Sequence, residues 1–140
     1  MKIVSFAAIG VCVLFALEPL VARAADPDQE KLQGKWKVES FDYNGKPVEA
    51  LKDAIREFKE DKYSLTPTSG DVFSGAVKLD SSKQPKQIDL ELSDRTLKGI
   101  YEIDGDTLKI SYRLEGDERP TELASKPDSG VVLVVHKRMK

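Results

Sequence analysis

Residues 97–114, LKGIYEIDGDTLKISYRL, leave little room for anything but a β-hairpin. Leu97, Gly99, Tyr101 and Ile103 alternate with mostly polar neighbours, Asp104-Gly105-Asp106 supplies turn chemistry, and Leu108, Ile110, Tyr112 and Leu114 resume the alternation. One face of such a ribbon is apolar and the other wet. An Asp104-Gly105 turn would pair Tyr101 with Leu108, whereas a Gly105-Asp106 turn would pair Ile103 with Leu108 and Glu102 with Lys109. Both registers keep the same residues on the apolar face. Such a ribbon is not stable by itself, so the rest of the chain has to supply more sheet.

Most of the chain reads in the same period. Gly34-Lys35-Trp36-Lys37-Val38 opens a strand whose parity shifts at Ser40, because Phe41 and Tyr43 fall on the other phase. A β-bulge or a strand end there accounts for the shift. Asn44-Gly45-Lys46-Pro47 is a turn. In residues 48–58 the apolar positions Val48, Leu51, Ile55 and Phe58 recur at helical spacing, and Pro47 suits a helix start, which predicts a short helix over 47–54. From Ile55 the chain can continue helical or extend, with Glu60-Asp61 as a turn before Tyr63 and Leu65. Phe73, Gly75, Val77 and Leu79 then share one face, as do Ile88, Leu90 and Leu92 after the loop 80–86. Residues 131–135 are an unbroken apolar run, which implies cover on both faces.

About eight strands in series, short turns and a single buried phase predict a mainly β fold: an antiparallel up-and-down barrel, with one short helix after the first strand. A flat sandwich is the other architecture open to this pattern. A barrel of eight strands is filled by its own side chains or holds one small ligand.

The opening residues have a different character. Lys2, the apolar residues 3–17 and Ala22-Arg23-Ala24 have the layout of a signal peptide, with cleavage expected before Ala25. The apolar run is shorter than the roughly 20 residues of a comfortable membrane span. Cys12 lies too early, and behind too bulky a residue, Val11, for a lipoprotein site. Residues 1–24 are therefore read as the signal peptide, 25–31 as a flexible lead and 32–140 as a single barrel domain. The expected address is periplasmic or extracellular, in a bacterium, with no stable membrane span once the signal is cleaved. Without residues 1–24 the chain has no cysteine, 20 basic and 23 acidic side chains and a net charge of about −3. Disulfides and thiolate chemistry are then excluded. Mixed acidic charge also argues against nucleic acid, whose phosphates reward a basic face.

Several segments together resemble a known family. Gly34-Lys35-Trp36 is similar to the Gly-x-Trp signature of lipocalins and fatty-acid-binding proteins, the calycin group. The longer series Leu32-Gln33-Gly34-Lys35-Trp36, Asn44-Gly45-Lys46-Pro47, Pro85-Lys86-Gln87-Ile88-Asp89-Leu90, the residues from Gly99 to Leu108, and Arg119-Pro120-Thr121 resembles a small exported lipocalin-like domain family expanded in planctomycete bacteria. That resemblance implies a barrel and an export route, and carries no established activity. The family usually shows strand character and a glycine turn over 55–62, where this chain has helix-like spacing and Glu60. In lipocalins an arginine near the chain end packs over the first-strand tryptophan. By order Arg138 matches it, so Arg138 or Arg119 is expected within about 6 Å of the Trp36 ring as a structural cap.

Residues that could carry chemistry are few. His136 is the single histidine, which makes a Ser-His-Asp triad or a multi-histidine metal site hard to build, and its place at the end of the last strand reads as rim or surface. Glu102, Asp104 and Asp106 lack the glycine and glutamate spacing of a calcium loop and are better explained as turn chemistry. Asp89 and Glu91 belong to a wet strand face. Trp36, Phe73, Tyr101 and Tyr112 lie on the apolar phase, either as core or as the lining of a cavity whose phenols orient a ligand. No enzyme, cofactor or metal is expected. The first functional reading is a non-enzymatic exported module binding a small apolar or amphipathic ligand inside the barrel. The second is a structural or protein-interaction domain, with a filled barrel acting through its outside and Ile100, off-phase on the wet face, as part of the contact patch.

Overall fold

The computed structural model describes residues 26–140, so the signal peptide expected over 1–24 lies outside the described residues. The chain forms α1 (Pro27–Leu32), β1 (Gly34–Tyr43), a two-residue β2 (Lys46–Pro47), a 3-10 turn (Glu49–Leu51), β3 (Ile55–Lys59), β4 (Lys62–Thr66), β5 (Phe73–Asp80), β6 (Gln87–Glu91), β7 (Thr96–Asp104), β8 (Thr107–Arg113) and β9 (Val131–Arg138). Each strand from β3 to β8 pairs antiparallel with the next, and β1 pairs with both β3 and β9, which closes an eight-stranded up-and-down barrel. β2 only extends the edge of β1.

The 97–114 hairpin has the second of its two registers, with Ile103 opposite Leu108 and Glu102 opposite Lys109 around Gly105-Asp106. The parity shift in β1 is a bulge: the β1–β9 register slips between Val38 and Ser40, so Trp36, Val38 and Phe41 are all buried despite their mixed spacing. After the first strand the short helix is reduced to the single 3-10 turn Glu49–Leu51. Residues 55–59 are strand. Ile55, one member of the helical-looking series, is not among the buried residues, whereas Arg56 and Phe58 are. Glu60, with φ +56°, occupies the left-handed turn position where a glycine would be unstrained.

Of the lead expected to be flexible over 25–31, residue 25 lies outside the described residues, and the rest is corrected by α1, which closes one end of the barrel. Pro27 starts the helix, and Asp26 caps it by accepting from Asp28 N at 2.9 Å through one oxygen and from Ser81 N at 2.7 Å through the other. The buried Asp28 carboxylate accepts from Lys86 Nζ at 2.8 Å and Tyr101 Oη at 2.9 Å. Leu32 is fully buried and its carbonyl accepts from Trp36 Nε1 at 2.8 Å. Gln33 and Glu60 exchange hydrogen bonds, joining the plug to the β3–β4 turn. Gly34, at φ +109°, makes the sharp exit from helix to strand that a side chain would strain.

The outer wall is also partly covered. The segment between β8 and β9 folds back over it, held where Arg119 Nη1 donates to Asp89 Oδ1 at 2.7 Å and to Gly99 O at 2.8 Å. Ile100, expected on a wet face, is only 1 % exposed, and Pro120 and Ser111 are buried as well. That cover explains the apolar run of β9, whose Val131, Val132 and Val134 are buried on alternate faces.

Burial works to raise the Asp28 pKa, but the hydrogen bonds from Lys86 and Tyr101 outweigh it, and the net shift is downward from 3.8. A carboxyl with a depressed folded-state pKa stabilises the fold above its ordinary pKa and loses that contribution as pH falls through it. Asp28→Asn should therefore cost about 1–3 kcal/mol at pH 7. In urea titrations the gap to the parent protein should narrow as pH drops below about 4.

Candidate functional site

The interior has two halves of different character, set by strand direction. At the α1 end lie the start of β1, the end of β7 and the end of β9, and here the core is solid. Trp36 is fully buried, with the Arg138 guanidinium 4.2 Å from its ring centroid. Arg138 also donates to the carbonyls of Lys31 and Gln33, so it caps the C-terminal end of α1 while stacking on the indole. A stacked cation of this kind contributes about 0.5–2 kcal/mol. Arg119, the other candidate for that position, belongs instead to the outer-wall clasp.

At the opposite end, where β1 finishes and β7 begins, a cavity of about 390 Å³ remains. Phe41, Val48, Leu51, Leu65, Leu90 and Leu97 form its apolar wall. Arg56, Tyr63 and Tyr112 form its inner end, and Phe73 and Arg95 sit at the rim. Of the four aromatic residues proposed as ligand-binding, two line this space: Tyr112, buried, and Phe73, 52 % exposed at the mouth. Trp36 and Tyr101 do not. Both belong to the packed half, Trp36 beneath Arg138 and Tyr101 with its phenol donated to Asp28. The alternation that put all four on one face could not say at which end of the barrel each one sits.

Sequence reasoning missed Arg56 altogether. It stands at an inward position of β3, 1 % exposed, across the ladder from Trp36 and Leu65. Its Nε donates to His136 Nε2 at 3.0 Å, and its guanidinium lies 5.8 Å from the Tyr63 ring centroid. Nη2 is buried without a hydrogen-bond partner, and among the described residues Arg56 forms no ion pair. A lone buried cation is unfavourable, because its lost hydration is not replaced by an opposite charge. The one sequence signal was its register: in a strand with Phe58 inward, residue 56 faces inward too.

His136 is likewise interior, not rim or surface as expected. It is fully buried and continues the inward phase of Val132 and Val134. Because Nε2 accepts from Arg56, the ring proton resides on Nδ1, which donates to Leu108 O at 3.0 Å. The imidazole is thus held neutral, with its pKa pushed well below 6.5 by burial and by the Arg56 charge, against the opposing pull of the Leu108 carbonyl. Burial raises the phenol pKa of both Tyr63 and Tyr112, and the Arg56 charge opposes this in each. Both phenols stay protonated near neutral pH.

Apolar wall, cationic inner end and two phenols bound a cavity in an antiparallel barrel. Neither family models, curated proteins nor solved structures include a match to this chain. Among the described residues no helix is long and apolar enough to cross a membrane.

A histidine kept neutral by the fold makes stability pH-dependent. Unfolding frees it to bind a proton near its ordinary pKa, so stability is complete above about 6.5 and declines as pH falls below it. Urea midpoints measured between pH 7.5 and 5.5 should drop toward acid, with a slope of at most one proton, about 1.4 kcal/mol per pH unit. His136→Gln should flatten the profile over that window.

Proposed function

We propose that the protein is a non-enzymatic, exported, lipocalin-like binding module that takes a small apolar or amphipathic ligand in the open half of its barrel. The observation that carries this reading is the 390 Å³ cavity, apolar on its walls and bounded by polar groups only at its inner end and rim. Its size falls within the roughly 300–1,000 Å³ of pockets that hold small molecules. An interior filled by its own side chains would have left room for a few waters at most. The expected address, periplasm or medium, rests on the signal-like opening residues.

The alternative, a structural or protein-interaction domain acting through its outer surface, draws less support. It relies on a filled barrel and on Ile100 in an outer patch, whereas half of the interior is open and Ile100 is covered. Val72 and Phe73 are exposed apolar residues, but Phe73 stands at the cavity mouth, where a ligand entrance would need it.

The uncharged dye Nile red tests the reading without favouring any headgroup. Its fluorescence should rise and saturate when it is titrated with the purified protein. Leu51→Trp, which narrows the cavity from the 3-10 turn, should weaken the dye at least about tenfold, equivalent to 1.4 kcal/mol. No saturable signal, or one unchanged by Leu51→Trp, would reject the cavity as a binding site.

A further inference from the structure

We infer that Asn44 is a site of spontaneous deamidation, and that the segment between β8 and β9 governs the reaction by holding the Asn44-Gly45 turn closed. The inference does not depend on the cavity binding anything. An asparagine followed by glycine is open to this chemistry, because glycine brings no side chain to hinder ring closure.

The reaction needs no partner but water. The Gly45 nitrogen gives up its proton and attacks Asn44 Cγ. A new C–N bond forms, the bond to the side-chain nitrogen breaks, and that nitrogen leaves as ammonia with a proton in exchange for the one lost. Water then opens the cyclic imide at one of its two carbonyls. The product is aspartate or, where the main chain is rerouted through the side chain, isoaspartate. Nothing is oxidised or reduced.

Both reacting groups are engaged in the folded protein. Asn44 and Gly45, at φ +53° and +77°, form the two-residue turn between Tyr43 and Lys46. Gly45 N, the nucleophile, donates to Ser125 Oγ at 2.9 Å, and Ser125 sends its own proton to Val131 O at 2.8 Å, which leaves a lone pair for Gly45. The Asn44 carboxamide is held separately, with Oδ1 accepting from Gly130 N at 2.6 Å. Pro127 covers Gly45 so closely that a side chain there would meet its ring at 3.1 Å. Ser125, Pro127 and Gly130 all belong to residues 114–130, an irregular segment of a length more usual in functional loops than in plain connections. Ring closure therefore requires this segment to lift from the turn and two hydrogen bonds to break. Tyr43 and Val48, on either side of the turn, line the cavity, so the negative charge gained at residue 44 would stand near the mouth.

Peptide mapping by mass spectrometry tests this on the purified protein, incubated at mildly alkaline pH in buffer and in denaturing guanidinium chloride. Asn44 should gain the mass of an amide-to-acid exchange about 10- to 100-fold more slowly in buffer, the effect of two hydrogen bonds that must first break. Both rates should rise with hydroxide concentration, since the nitrogen reacts deprotonated. Ser125→Ala should speed the folded protein about 2- to 10-fold and leave the rate in denaturant unchanged. No reaction in denaturant would overturn the site itself, and equal rates in buffer and denaturant would overturn its protection by the fold. A folded Ser125→Ala protein that reacts no faster than its parent would overturn control by residues 114–130.

Discussion

The pairing of β1 with two partners is the constraint on which this structure depends. β1 joins β3 along its first half and β9 along nearly its whole length, and the bulge at Glu39 lets it serve both without losing its inward face. Once the ring is shut, each strand has a fixed inside, and each inward side chain must either pack or face a cavity. An open sheet could have rotated Arg56 or His136 toward solvent. A closed one cannot, so burial of both follows from closure and register rather than from any preference of those residues.

Inside the ring, the two ends are treated differently by the parts of the chain that lie outside the strands. α1 inserts Leu32 and Asp28 at one end, and Arg138 ties the helix carbonyls to the Trp36 face, so that end is packed and hydrogen-bonded throughout. At the other end the β1–β3 connection contributes Val48 and Leu51 to the wall without filling the space. Arg56 and His136 mark the boundary, since His136 reaches back to Leu108 in the packed half while Arg56 lines the cavity. The barrel is therefore neither wholly self-filled nor hollow.

Much of the fold was legible because alternation is local. The 97–114 hairpin, the bulge near Ser40, β5, β6 and the doubly covered β9 all follow from period-two patterns that a neighbouring element reinforces. Failures came where an inward residue was polar. Arg56 interrupts the apolar phase of β3, and with it removed from the pattern, Val48, Leu51, Ile55 and Phe58 suggest helical spacing instead. The residue that disguised the strand is thus the one that puts a charge at the cavity's inner end. His136 was misplaced for the same reason, as a polar residue following an apolar run. α1 was hidden because its stability comes from partners distant in sequence, Lys86, Tyr101 and Arg138, and a helix of six residues is too short to be stable alone. Ile100 could not be read at all without knowing that Arg119 folds a loop over it.

Arg56 also bears on how the barrel distributes its stability. A guanidinium on the surface keeps its hydration, and losing that hydration offsets much of any attraction between charges. Here the loss is incurred during folding, at the expense of stability, and the side chain is then held in one orientation by His136. The apolar wall acts in the same direction, since it lowers the local dielectric around the charge. The solid half of the barrel, with its plug and its stacked Trp36–Arg138 pair, supplies the stability that offsets this cost.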